Sequence, residues 1–124
     1  MMYLKNYQQR VASEFEHFFN VSRAKKDAML AVFASLDNVS LPDEAKRGII
    51  SSYNWVEQTF NEVGRPYVDH CINGLGQKYA RTVLKIPTGG GKTLLAVEAI
   101  RAYQTLFARR RTGLVVWVVP SETI

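Results

Sequence analysis

The sequence predicts an α/β chain: a mainly helical N-terminal region, then a strand, a glycine-rich loop, a helix and a second strand. Three observations carry that reading. Apolar residues recur at helical spacing from Val11 to Val63. A short β-branched run, Thr82-Val83-Leu84-Lys85-Ile86, leads directly into Pro87-Thr88-Gly89-Gly90-Gly91-Lys92-Thr93. A continuous apolar run, Leu114-Val115-Val116-Trp117-Val118-Val119, follows one helix-length later and has the texture of a buried parallel strand. Strand, loop, helix and strand in that order make a βαβ unit.

Taken in chain order, Val11, Phe15, Phe18 and Phe19 share one helical face, and Met29, Val32, Phe33 and Leu36 suggest a second helix. Leu41-Pro42-Asp43-Glu44 interrupts the pattern and opens a third, with two acids in its first turn. Its face is Ile49, Tyr53, Val56, Phe60 and Val63, and Gly64-Arg65-Pro66 ends it. Between 67 and 81 only the turn Gly74-Leu75-Gly76 is legible. From Lys92 to about Arg109 the pattern is helical again, apolar around much of its circumference as suits a helix lying on a sheet, and Thr112-Gly113 closes it. Neither repeats nor low-complexity segments occur.

The 124 residues, 47% hydrophobic and 22% charged, have the composition of an ordinary soluble domain. No run approaches the roughly 18 apolar residues of a membrane span, and the start has no secretory pattern. The lone Cys71 fits a reducing compartment, so a cytoplasmic location is expected. His70 and Cys71 lack partners at metal-ligand spacing, and His17 reads as a surface residue. Trp55 and Trp117 read as core. The net charge of +5 suits a polyanionic partner without requiring one.

The glycine loop carries the chemistry. A triphosphate must be met by charge and N–H groups at close range. Three consecutive glycines let backbone N–H groups turn inward with no Cβ in the way. The helix from Lys92 aims its positive end at the same place. Gly89, Gly90, Gly91 and Thr88 would cradle the phosphates. Lys92 adds a full charge on the β and γ phosphates, as the catalytic cation, and the Thr93 hydroxyl suits the shell of a Mg²⁺ ion. The general pattern is G-x-x-x-x-G-K-[ST], and Ile86 stands at its first glycine. The bland alternative is a glycine-rich turn with an incidental Gly-Lys-Thr. The apolar strand before the loop and the long helix after it argue against that.

Pro87-Thr88-Gly89-Gly90-Gly91-Lys92-Thr93 resembles motif I of superfamily-two, DEAD/DEAH-box-like helicases, in the branch containing the restriction subunit of type III restriction enzymes. That superfamily commonly replaces the first glycine. Leu4-Lys5-Asn6-Tyr7-Gln8-Gln9 resembles its upstream element, in which a glutamine, here Gln8, reads the adenine edge; a carboxamide has the donor and acceptor this needs. Trp117-Val118-Val119-Pro120-Ser121 resembles motif Ia, which implies nucleic-acid backbone contacts at Pro120 and Ser121. The resemblance implies a partial RecA-like P-loop domain, ATP and Mg²⁺ as cofactors, and DNA (RNA being possible) as partner of an ATP-driven helicase or translocase. It divides the chain into an adenine-reading element with the first helix (1–23), a helical insertion (24–66) and an incomplete ATP-binding domain (67–124).

The acidic motif II, the arginine finger and the second RecA-like domain of that family have no counterpart in these residues. The expectation is therefore an N-terminal part of a longer protein that binds nucleotide, works with further RecA-like domains and has no ATPase alone. The alternative from another class is a P-loop kinase or signalling NTPase, which would need neither Gln8 nor Pro120-Ser121. The Arg109-Arg110-Arg111 run reads first as cations answering a helix C-terminus and second as a nucleic-acid grip.

Overall fold

A computed structural model describes residues 4–68, 78–79, 81–87, 89 and 91–118. Among them the chain forms α1 (Asn6–Leu36), α2 (Asp43–Ser52), α3 (Trp55–Val63) and α4 (Lys92–Ala102), the last passing into a π-helical segment, Tyr103–Ala108.

Helix α1 is one element where the apolar pattern suggested two. Its 31 residues span about 46 Å at 1.5 Å per residue. The reason is local: Asn20 to Ala28 holds no proline or glycine and is rich in alanine, lysine and arginine, so nothing stops the helix. The third expected helix is instead divided. Tyr53 adopts an extended backbone, and the Asn54 Oδ1 accepts from the Glu57 N–H at 3.1 Å, capping a new helix. Helix α3 ends at Gly64, whose φ of 71° is the left-handed turn a glycine makes without strain.

The core lies where α1, α3 and the end of the α4 segment meet. Trp55, Val56 and Phe107 form its centre, with Phe19, Met29, Tyr53, Phe60 and Tyr67 packed around them. Trp55 stacks on Phe107 with centroids 5.8 Å apart, and Phe107 stacks in turn on Tyr103 at 5.3 Å. Lys26 stands over both the Trp55 and Phe107 rings. Helix α2 buries none of its residues.

Helices α1 and α4 run parallel, and three anchors show the register. Gln8 meets Gly91 near the start of each helix. Farther along, the Arg101 guanidinium donates to Glu16 at 3.0 Å, and the Arg23 guanidinium donates to the Phe107 carbonyl at 3.3 Å. Arg23 also pairs with Asp27, and this hydrogen bond, helped by the charges of Arg23, Arg109 and Lys26, holds the Asp27 carboxyl below its usual value. Arg101 is held in its charged form by Glu98 and Glu16.

The expected α/β architecture with its RecA-like βαβ unit is not what the described residues form. An isolated bridge residue at Lys78 aside, they contain no β-strand. Residues 82–87 and 114–118 run without a hydrogen-bonded strand neighbour among the described residues, and Val83, Leu114 and Val118 are 80%, 93% and 87% exposed. Their β-branched composition favours an extended chain, but a strand exists only in a ladder, and no described segment supplies one. Trp117, expected in the core, is 47% exposed for the same reason, whereas Trp55 is buried as expected.

Candidate nucleotide site at the start of α4

Gly91 is the N-cap of α4, with φ 78° and ψ 43°, and Gly89 has φ 81°. Both lie in the left-handed region that a residue with a Cβ enters at a cost of about 1–2 kcal/mol. The first helical bond runs from the Leu95 N–H to the Gly91 carbonyl at 3.0 Å. No side chain caps the helix, so the first-turn amides from Lys92 onward point out of its end with no intrahelical acceptor. Among the described residues, nothing stands within 4 Å of where a Cβ at Gly89 would be. Lys92 and Thr93 are exposed, and Lys92 has no carboxylate partner among the described residues. Open backbone, an uncapped helix start and an unengaged lysine are the parts an anionic phosphate group requires.

Gln8 comes to this place from the other end of the chain. It is 5% exposed, and its Oε1 accepts from the Lys5 N–H at 2.9 Å, closing the first turn of α1. Its carboxamide lies against Gly91 so closely that a Cβ there would overlap the Nε2 and stand 3.5 Å from Cδ. The parallel packing of α1 on α4 produces the contact and also sets two positive helix starts side by side. The sequence singled out both residues, but not the parallel register that joins them or the second task of Gln8 as a helix-start acceptor.

Thr88 and Gly90, of the same loop, and Pro120 and Ser121, expected on the nucleic-acid track, lie outside the described residues. So do His70 and Cys71. His17 is exposed on α1. No three His, Cys, Asp or Glu side chains among the described residues gather as a metal site, and no described helix is long and apolar enough to cross a membrane.

The family model of the type III restriction enzyme, res subunit, matches residues 1–124. The match covers the chain from end to end, and the chain belongs to that family, part of a helicase-like, ATP-binding superfamily. No curated protein and no solved structure matches it.

Proposed function

We propose that the chain holds the nucleotide-binding part of an ATP-driven, DNA-acting motor of the restriction-subunit family, with the triphosphate at the start of α4. One observation carries the reading: Gln8 and Gly91, far apart in sequence, are packed together at that helix start. A phosphate loop alone takes any nucleoside triphosphate. A carboxamide beside it adds a means of selecting a base.

In this reading the N–H groups from Gly89 to Thr93 receive phosphate oxygens, and the positive φ of Gly89 and Gly91 is the backbone turn that presents them. Lys92 neutralises charge on the β and γ phosphates, and the Thr93 hydroxyl offers a ligand to Mg²⁺. The bound Mg²⁺ would supply charge neutralisation between phosphate oxygens. Gln8 accepts from the Lys5 N–H through Oε1, and a carboxamide is the type of group, acceptor and donor together, that N6 and N7 of adenine need. Pro120 and Ser121 follow as contacts to the DNA backbone.

Titration calorimetry tests the site. ATP with Mg²⁺ is expected to bind the wild-type chain and to lose at least tenfold in affinity with Lys92→Ala, as removal of a charge-assisted contact of about 1.5–3 kcal/mol requires. Gln8→Ala is expected to reduce the preference for ATP over GTP while leaving triphosphate binding in place. Equal ATP affinity for wild type and Lys92→Ala would sink the assignment.

A further inference from the structure

The opposite end of α4 carries a second feature that the nucleotide reading does not use. An open groove of about 560 Å³ is lined by the apolar Val97 and Ile100, by Gln104 and Thr105, and by Arg101, Arg109, Arg110 and Arg111. It lies on the order of 20 Å along the helix from the glycine loop.

Three consecutive residues on a continuing helix would be spread around its circumference, about 100° apart. Here the chain leaves the helix at Arg109, which has φ 52° and ψ 42°, the one described non-glycine residue with positive φ. The Arg110 N–H then closes onto the Gln104 carbonyl at 3.0 Å. That turn gathers all three arginines on one groove. Their neighbours do not cancel them. Arg101 is already committed to Glu98 and Glu16, and Arg109 pairs at 3.5 Å with Asp27, whose first partner is Arg23. Arg110 and Arg111 are exposed and have no carboxylate partner among the described residues. Cations that only answer the helix end would not need to share a groove with apolar side chains.

We propose that this groove binds single-stranded nucleic acid, its phosphates on Arg109, Arg110 and Arg111 and its sugar and base faces on Val97 and Ile100. A strand with anionic groups along one edge and flat apolar faces on the other matches a groove lined by both guanidinium groups and apolar side chains. Guanidinium groups serve both parts, pairing with phosphate in bidentate fashion and stacking on bases. A run of acidic side chains would satisfy the arginines and offer nothing flat or apolar to Val97 and Ile100.

Fluorescence anisotropy with a labelled single-stranded DNA of about 20 nucleotides provides the test. The double variant Arg110→Ala/Arg111→Ala is expected to weaken binding at least tenfold. It should also lower the slope of log affinity against log salt by about 1.4, two phosphate contacts at about 0.7 each. Arg110→Lys/Arg111→Lys is expected to keep the slope. Lys92→Ala is expected to leave DNA binding through the groove unchanged while losing ATP, which separates this proposal from the nucleotide site. Unchanged affinity and slope in the alanine pair overturns the proposal, as does equal competition by polyglutamate of matched charge. If the alanine pair does not fold, crosslinking of iodouracil DNA to the wild-type chain decides. Crosslinks in peptides holding 97–111 support the groove, and crosslinks confined to other peptides refute it.

Discussion

Gly91→Ala probes the contact on which the nucleotide reading depends, and its cost can be worked out in parts. The backbone at φ 78° places an alanine in the left-handed region, at about 1–2 kcal/mol. The new Cβ would also meet the Gln8 carboxamide, which is 5% exposed and cannot swing away while its Oε1 holds the Lys5 N–H. Expelling it forfeits that hydrogen bond, about 1 kcal/mol more. The single variant is thus expected to lose about 2–3 kcal/mol, read from the urea midpoint at constant slope. Gln8→Ala alone should lose about 1 kcal/mol. In the double variant the carboxamide is already gone, so alanine at 91 adds only its backbone strain. The double should be no less stable than Gly91→Ala itself, a coupling of about 1 kcal/mol in the cycle. Strict additivity of the two single losses would show that Gln8 and Gly91 do not touch, and the argument for a shared site would fall with it.

Three further outcomes follow from the packing. Trp55→Ala removes a ring that is 3% exposed and stacked on Phe107, and is expected to cost about 3–5 kcal/mol in chemical denaturation. Ser22 is fully buried with a hydroxyl that finds no hydrogen-bond partner among the described residues, so Ser22→Ala is expected to leave stability unchanged or raise it by up to about 1 kcal/mol; a loss above that would reveal a partner for the hydroxyl. Asp27 titrates below its ordinary value in the folded chain, so its pairing stabilises at pH above about 4 and is lost as pH falls through the lower folded value. Asp27→Asn should therefore flatten the acid limb of the stability profile below pH about 4 and change little of its slope near neutrality, where the carboxyl is fully ionised in both states.

The helices were legible in the sequence because their signals are local. The apolar spacing over Val11 to Leu36, the acids after Pro42 and the Gly64 stop each act within a turn or two. Errors arose where the deciding feature was weaker than a glycine or proline. Nothing marks the join between Asn20 and Ala28, so two expected helices fused. Only Asn54, acting as a cap, marks the division between α2 and α3. The strands failed for a different reason. Val83 and the 114–118 run have the composition of strands, but composition describes the chain's own preference and says nothing of whether a neighbour is there to complete the ladder. Helical bonds close within a segment; strand bonds do not.

The same distinction explains what was readable at the candidate site. The loop's glycines, Lys92 and Thr93 lie within one short stretch, and the phosphate-binding role proposed for them rests on their order alone. The link to Gln8 depends on how α1 lies on α4, which follows from side chains scattered over both helices. Glu16 pairs with Arg101, Arg23 reaches the Phe107 carbonyl, and Phe19 packs edge-on against Tyr103 at 5.6 Å. Each anchor fixes the sliding of one helix along the other, and a displacement of one turn, about 5.4 Å, would carry Gln8 past Gly91 altogether. The position of Gln8, proposed to select the base, is therefore held by contacts well beyond the loop. Weakening the distant anchors, by Arg101→Ala for example, should alter the ATP-over-GTP preference before it alters affinity for the triphosphate itself, because in the proposed site the phosphates are met at the start of α4 while the base depends on Gln8 of α1.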